Sequence, residues 1–225
     1  MVTSDTIEFD QTTGELKERT GLMILDHVEM YNCSQIDTYK ASIRFENAVA
    51  LSSSVSNSSF HNGLGWGANI KNSAKVVMQD NLWFNFRAIG VAIDFAKNIT
   101  FDNNVVAHII ERTTLETGDK FVDKRAAVTI CQYLEPETCS DIRVTNNIAA
   151  GVTYAGFIAP GHDCGDSANS NFKGNIAHSV AGVIGGHGAL IYPDPAREIQ
   201  KTCYEGSFFT AYKCYYQGAY SFYES

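Results

Sequence analysis

Apolar and polar residues alternate in a short motif that recurs along the chain. The motif reads apolar, any, apolar, any, any, Asn, any, apolar, and it occurs at residues 76–83, 99–106 and 142–149. Val55, Ser58 and Phe60 fill the same positions one step earlier, with Ser in place of Asn. Alternation of this kind predicts short strands with one buried face.

The spacing of the motif predicts the fold. Ser58 and Asn81 are 23 residues apart, and so are Asn81 and Asn104. Asn147 follows Asn104 by 43 residues, which fits either two shortened repeats or one repeat plus a long insertion. Short strands at a fixed spacing predict an all-β, right-handed parallel β-helix with coils of about 23 residues. A β-sandwich also has alternating strands but gives no reason for the constant spacing.

Stacked coils place equivalent residues in columns about 4.8 Å apart. We therefore expect an Asn ladder of Asn81, Asn104 and Asn147 at a tight turn, with the Asn residues in the left-handed conformation. We also expect two interior columns of apolar side chains, which are Met78, Phe101 and Val144 in one and Trp83, Val106 and Ala149 in the other.

The pattern divides the chain into a lead-in at residues 1–20 and a β-helix at residues 21–225. A long loop insertion is expected at residues 111–137, where the repeat is interrupted, and residues 126–131 resemble a further strand. The aromatic stretch after residue 203 has no polar cap. Because an open coil end exposes strand edges, neighbouring modules or subunits are expected to cover it, and end-to-end assembly into fibres is one alternative.

Composition and charge exclude several classes of protein. The chain has 225 residues, 44% hydrophobic and 19% charged, which is typical of a folded protein. Its formal net charge of -8 argues against a nucleic-acid partner. No run of 18 apolar residues is present, so we predict no membrane insertion by this segment. No cofactor is indicated.

Sequons and cysteines favour an extracellular location. The pattern N-x-[ST] occurs at Asn32, Asn57 and Asn98, and the chain has six cysteines, an even number, without a C-x-x-C pair. The first residues do not form a signal peptide, which leads us to expect a fragment of a larger surface protein.

The cysteines allow 15 pairings. Cys131 with Cys139 and Cys203 with Cys214 are the nearest neighbours in sequence, each closing a short loop. Cys33 and Cys164 then remain as the third pair.

Two enzyme hypotheses concern glycan cleavage. Pectin hydrolases of this fold carry a Gly-His-Gly motif with several acidic motifs, and here only residues 186–188, around His187, match. Lyases of this fold use Ca²⁺ bound by carboxylates together with a basic residue. Their candidates lie in the insertion, where interleaved charges also fit mutual ion pairs: Glu111, Arg112, Glu116, Asp119, Asp123, Lys124 and Arg125.

Other histidines have simpler interpretations. The segment 161–166 (GHDCGD) contains possible metal ligands, although a disulfide at Cys164 explains it as well. His108 and His178 follow Asn104 and Asn175 at similar positions, and we expect both to be buried, hydrogen-bonded turn residues.

Several longer strings resemble the parallel β-helix region of the fibrocystin family, which includes fibrocystin and fibrocystin-L. These strings are residues 28–34 (VEMYNCS), 40–45 (KASIRF), 108–116 (HIIERTTLE), 122–125 (VDKR), 138–141 (TCSD) and 146–157 (NNIAAGVTYAGF). The resemblance implies a cell-surface ectodomain segment, associated with cilia, that acts in adhesion, surface-coat assembly or ligand binding. It implies no catalytic residue. A related branch that degrades hyaluronan keeps an enzyme as the alternative.

The sequence therefore predicts a non-enzymatic extracellular β-helix module that binds protein or glycan. The alternative is a glycan-cleaving enzyme of the hyaluronan or pectin type that uses Glu111, Asp119, Asp123, Arg125 and His187.

Overall fold

The computed structural model shows a right-handed parallel β-helix. It describes residues 21–35, 40–110, 126–131, 139–159, 171–182, 185–191 and 206–221, together with the backbone of short strands at 2–3, 6–9, 16–19, 162–163 and 202–203. Three parallel sheets run the length of the described chain, with eight, seven and seven strands. The predicted fold class is confirmed.

Strands are numbered along the chain. In stacking order, sheet 1 contains β1 (Val2–Thr3), β6 (Ile43–Glu46), β9 (Ala68–Lys71), β12 (Ile89–Asp94), β15 (Ala126–Ile130), β18 (Ala155–Ile158), β22 (His187–Ile191) and β26 (Gln217–Ser221). Sheet 2 contains β4 (Ile24–Asp26), β7 (Ser53–Ser56), β10 (Ala74–Gln79), β13 (Lys97–Asp102), β16 (Ser140–Thr145), β20 (Asn171–Lys173) and β24 (Gly206–Ser207). Sheet 3 contains β5 (Glu29–Tyr31), β8 (Ser59–His61), β11 (Leu82–Arg87), β14 (Val105–Ile110), β17 (Ile148–Ala150), β21 (Ile176–Val180) and β25 (Thr210–Cys214).

Two antiparallel pairs lie outside these sheets. They are β2 (Thr6–Phe9) with β3 (Leu16–Arg19), and β19 (His162–Asp163) with β23 (Thr202–Cys203). The segment predicted as a lead-in, residues 1–20, also supplies β1, which pairs with β6. The first strand of sheet 1 therefore precedes the predicted domain boundary.

The interior columns are the predicted ones. In sheet 2, Met78 pairs with Phe101, which pairs with Val144, and in sheet 3 the equivalent column runs from Trp83 through Val106 to Ala149. All six side chains are buried. Phe60 extends the second column, and its ring stacks on Trp83 with centroids 4.1 Å apart. Because adjacent coils share these contacts, burial in one coil depends on the register of the next.

The Asn ladder is present and fully buried. Asn81 donates through Nδ2 to Oδ1 of Asn104 at 3.0 Å, Asn104 to Asn147 at 3.1 Å, and Asn147 to Asn175 at 3.0 Å. Each Oδ1 also accepts the backbone N–H of the preceding coil's ladder residue, at 2.9–3.0 Å. Asn175 thus adds a fourth member that the spacing indicated only weakly.

The left-handed turn lies one residue before each ladder Asn, so the predicted conformation of the ladder itself was wrong. Positive φ angles occur at Asp80 (58°), Asn103 (51°) and Asn146 (57°). Their exposed side chains tolerate the left-handed region, whereas the ladder residues use their amides for interior hydrogen bonds. The turn and the ladder are therefore two adjacent columns.

The predicted insertion at 111–137 is interrupted by a strand. Residues 126–130 form β15, which lies between β12 and β18 in sheet 1. Because β13 pairs directly with β16, Asn104 and Asn147 are one coil apart despite 43 residues of sequence. The long spacing is therefore one repeat with an insertion.

One of the three predicted disulfides is present. Cys131 and Cys139 are bonded and buried, with Cα atoms 6.1 Å apart. Cys33 and Cys214 are free cysteines, so the predicted pairs with Cys164 and Cys203 are not formed. Cys33 follows β5 in the first coil of sheet 3 and Cys214 ends β25 in the last, so the two are separated by the length of the sheet.

We predict that Asn104→Ala destabilises the protein more than a change at its exposed neighbour. The substitution leaves the buried backbone N–H and one side-chain N–H of Asn81 without an acceptor, and it removes the side-chain donor to the carbonyl of Met78. Unsatisfied buried groups of this kind cost about 1–3 kcal/mol each, so we expect a loss of about 3 kcal/mol or more in urea unfolding.

The matched control is Asn103→Gly, which keeps the left-handed turn and removes an exposed amide. We expect it to change stability by less than about 1 kcal/mol. Equal losses in the two variants would contradict a structural role for the ladder.

We also predict that the Cys131–Cys139 disulfide stabilises the folded state. It closes a loop with a sequence separation of 8, for which loop entropy gives about 2.5 kcal/mol. Cys131→Ser/Cys139→Ser should lower the unfolding free energy by that amount, whereas Cys33→Ser should change it little. Peptide mass spectrometry without reductant should find residues 131 and 139 linked; alkylation of both thiols would disprove the bond.

Candidate functional site

Most residues of the predicted enzyme site lie outside the described residues. These are Glu111, Asp119, Asp123 and Arg125, together with Arg112, Glu116 and Lys124 of the same stretch. His187 is described, at the start of β22. The enzyme hypothesis therefore remains a prediction, and His187 is the one member of its site that has a described environment.

Aromatic rings surround His187. Ring centroids of Tyr154, Tyr216 and Tyr220 lie 6.2, 5.7 and 5.6 Å from the imidazole. Two glycines of the preceding turn make this packing possible. A Cβ at Gly185 would collide with the Tyr154 ring, and Gly186 (φ 151°) lies against the backbone of Tyr216. Residues 185–188 are thus a closely packed turn.

Burial holds His187 in its neutral form. Desolvation lowers the pKa of the imidazole below 6.5, and a hydrogen bond with the Gln217 side chain opposes this to a smaller extent. Nδ1 is buried without a hydrogen-bond partner. A neutral imidazole with one buried nitrogen suits packing better than proton transfer to a ligand.

The described residues contain no group of three or more His, Cys, Asp or Glu that could hold a metal ion. For the segment 161–166, the structure describes only the backbone of His162 and Asp163, in β19. The possible metal ligands of that segment therefore lie outside the described side chains.

The three sequon asparagines share one backbone conformation. Asn32, Asn57 and Asn98 have φ angles of 54°, 49° and 52°, and all three are exposed, the first two at turns and Asn98 near the start of β13. Exposed turns are where glycan attachment is sterically possible. Glycosylation at these positions remains a prediction.

The outward faces of the sheets differ in chemistry. In sheet 1, outward residues such as Ala92, Thr129 and Ile158 are buried. The outer face of sheet 2 is mostly polar, as at Ser54, Thr100 and Arg143. The outer face of sheet 3 is partly exposed and largely apolar, and it has two outward columns of seven residues each. The first column consists of Glu29, Ser59, Leu82, Val105, Ile148, Ile176 and Thr210. The second column consists of Tyr31, His61, Phe84, Ala107, Ala150, His178 and Tyr212.

Three pairs of aromatic and imidazole rings lie in line on the outer face of sheet 3. Tyr31 stacks with His61 (centroids 6.0 Å apart, interplanar angle 17°), and His178 stacks with Tyr212 (4.9 Å, 10°). Between them, Phe84 contacts the ring of His108, at the edge of the face, at 5.5 Å. The face therefore carries aromatic platforms near its two ends and in its first half.

These contacts correct the expectation for two histidines. His108 is exposed, and its φ of 57° places it at a left-handed turn. His178 is half-buried and lies within 3.3 Å of the Ser179 hydroxyl. Neither is a buried turn histidine, because both belong to the exposed side of sheet 3. Counting three residues past Ser58, Asn81 and Asn175 would have found His61, Phe84 and His178, whereas no Asn or Ser marks the positions of Tyr31 and Tyr212 in this column.

Polar side chains line both edges of this face. The edge shared with sheet 2 carries Asn57, Asp80, Asn103 and Asn146, and Asn103 donates to Asp80 at 2.6 Å. Asn85 donates to Asn62 at 2.8 Å on the opposite edge, which carries Asn32, Asn62, Asn85, His108, Ser179 and Lys213. An open groove crosses the first edge between Asn57 and Val105.

One contact between a carboxylate and an imidazole lies on the described part of the outer face of sheet 3. Glu29 accepts from, or pairs with, Nε2 of His61 at 2.9 Å. The two outward columns hold fourteen residues, none of them Lys or Arg, whereas β11 ends at the half-buried Arg87 and β25 carries the exposed Lys213 next to Tyr212. The face is thus an apolar and aromatic strip whose two outward columns lack basic side chains and whose polar border includes Lys213 in the last coil.

Fold and face together define a parallel β-helix with one uncovered aromatic surface. No family model and no curated protein matches the chain. Among solved structures, it is similar to the A-module of the mannuronan C-5 epimerase AlgE4 of Azotobacter vinelandii, at 11% identity and a TM-score of 0.40, over 89% of this chain and 58% of that one.

A second similar structure is HetL, a pentapeptide repeat protein of the cyanobacterium Nostoc involved in heterocyst differentiation regulation. Its identity is 8% and its TM-score 0.16, over 84% of this chain and 86% of that one. The chain spans just over half the length of the epimerase module. At such low identities and TM-scores, neither protein's activity extends to this chain. Over the part of the chain that the structure describes, no helix has the length and apolarity to cross a bilayer.

We predict that acidification destabilises the coils around His187. The unfolded imidazole gains a proton near pH 6.5, whereas burial keeps the folded one neutral to lower pH. This contribution to stability is therefore complete above pH 6.5 and is lost as pH falls through the folded pKa. An NMR titration of His187 should give a midpoint below 6.5, and the stability loss should be smaller in His187→Gln. A midpoint at or above 6.5 would contradict the burial effect.

Proposed function

We propose that this β-helix is a non-enzymatic binding module of an extracellular, fibrocystin-like surface protein. Sequence strings such as residues 28–34 and 146–157 support the family, and the parallel β-helix is the fold that the resemblance implies. The Cys131–Cys139 disulfide supports an oxidising compartment. A cell-surface location, including a ciliary one, belongs to the same proposal.

The outer face of sheet 3 is the proposed binding surface. Leu82 and Phe84 are 39% and 41% exposed in the same strand, with Val105 and Ile148 in the next coils. Contiguous apolar surface with a polar border is uncommon on monomers unless it binds something. By contrast, the outward side chains of sheet 1 are already buried. The uncovered apolar and aromatic face is the observation that carries the proposal.

The interior of the β-helix favours surface binding over a cleft. Trp83, Phe101 and Phe157 fill it and are fully buried. A ligand therefore has access to an outer face, a corner or a coil end. A rigid flat face binds with little loss of conformational entropy, because its side chains are already ordered by the coils on either side.

We predict that charges on this face abolish binding to cell surfaces. The wild-type protein, multimerised for avidity, should stain epithelial cells in flow cytometry. Leu82→Asp/Phe84→Asp should reduce staining at least about tenfold, because both carboxylates would be desolvated by a bound partner. Both positions are exposed, so the fold is retained.

The matched control is Leu51→Asp/Leu64→Asp, which adds the same charge at exposed leucines outside sheet 3. It should stain like wild type. Equal staining by the two double variants, or no staining by wild type, would overturn the assignment of this face.

A further inference from the structure

The three ring pairs form a line parallel to the helix axis. They lie in coils 1–2, 3–4 and 6–7 of sheet 3, counted along its strand order. At about 4.8 Å per coil, their midpoints are about 10 Å and about 14 Å apart. A single small ligand cannot reach all three pairs. A long, thin ligand lying along the axis contacts each in turn.

The distribution of charge disfavours polyanions as this ligand, because the exposed Lys213 at the edge of the face is confined to the last coil. No Lys or Arg occupies the outward positions, and Asp80 and Glu29 place carboxylates at the edge and on the face. Nucleic acids need cations along their phosphates, even where aromatic rings supply the stacking. Acidic polysaccharides meet the same repulsion. The ligand is therefore uncharged along its length.

The uneven height of the side chains on this face disfavours a protein partner with a wide, flat interface. Between the second and third ring pairs, the aromatic column contains Ala107 and Ala150, which leave a low stretch between the rings. Leu82 and Phe84 are the large apolar side chains in the middle coils that exceed one-third exposure. A standard protein interface needs about 800 Å² on each side, with a packed apolar centre. A narrow strip with spaced rings suits a slender chain.

Turn geometry explains why Asn and Asp line the edges, so their presence is not itself evidence of a ligand. Their chemistry nevertheless limits what fits. Carboxamides such as Asn62, Asn85 and Asn103 donate and accept hydrogen bonds, and they border an aromatic and aliphatic floor. A pyranose ring has the complementary pattern, with C–H groups on its face and hydroxyls around its rim. Its C–H groups meet the electron-rich faces of aromatic rings.

We propose that the outer face of sheet 3 binds an uncharged, linear glycan along the helix axis. The three ring pairs stack on separate sugar units, and the edge amides hydrogen-bond to hydroxyls between them. The inference rests on the proposed function, since it names the ligand class of the same face.

The experiment is calorimetric titration with defined hexasaccharides, which are long enough to span the three pairs. The uncharged probes are cellohexaose, β-1,4-mannohexaose and N-acetylchitohexaose; the charged probe is a hyaluronan hexasaccharide. We expect at least one uncharged probe to bind at millimolar Kd or better, and more tightly than its disaccharide. Affinity should be unchanged between low and high salt.

Variants test the ring pairs individually. Phe84→Ala and Tyr212→Ala should each raise Kd about fivefold for the bound probe. Tyr215→Ala is the matched control, because Tyr215 is 72% exposed and lies past the end of β25, outside the outward columns. It should bind like wild type. Absence of binding by every uncharged probe, preference for hyaluronan, or unchanged affinity in Phe84→Ala would each overturn the glycan inference.

The two experiments together distinguish an error in the ligand class from an error in the binding face. Loss of cell staining in Leu82→Asp/Phe84→Asp, together with no response to any uncharged hexasaccharide, would reject the glycan and retain the face. Failure of both experiments would reject the face itself.

Discussion

The buried Asn ladder fixes the register on which the rest of the structure depends. Each ladder oxygen accepts both the backbone N–H and the side-chain amide of the previous coil, and each amide also reaches a carbonyl, as Asn104 reaches Met78. A shift by one residue would leave these groups unpaired in the interior and turn the apolar columns outward. Since every contact spans two coils, coil stability is cooperative along the axis.

The same register separates the chemistry of the three faces. Left-handed turns at Asp80, Asn85 and Phe95 bend one coil at its three corners, and the equivalent turns recur in neighbouring coils. Each sheet therefore stays flat and stacks like with like. Sheet 1 has its outward side chains buried, sheet 2 shows polar groups, and sheet 3 shows rings and aliphatic side chains. Ring pairs such as His178 with Tyr212 form only because residues 34 apart in sequence lie on adjacent coils.

The repeat spacing was enough to predict the ladder and both interior columns, because these depend on alternation at a fixed interval, and closeness in sequence was enough to predict the Cys131–Cys139 bond. The turn was misplaced by one residue, since a buried amide and a left-handed residue have similar sequence preferences. The Cys203–Cys214 pair failed although the two residues are close in sequence, and the Cys33–Cys164 pair that followed from it failed as well, since Cys33 and Cys214 are both free. The exposed outer face of sheet 3 was missed, because an apolar residue such as Leu82 is indistinguishable from a core residue in the sequence. Only the stacking of the coils shows that its side chain points outward.

The proposal of binding through a face agrees with where this fold places its hydrophobic residues. The coil interior is only wide enough for the side chains that fill it, so Trp83 and Phe60 stack there and leave no room for a ligand. Apolar residues beyond that requirement, including Phe84 beside Trp83, cost solvation without stabilising the core. Their alignment over several coils, with His61 and Tyr31 at one end and Tyr212 at the other, gives a surface whose length grows with coil number. A repeating polymer gains a further contact from each such platform, whereas a compact ligand does not.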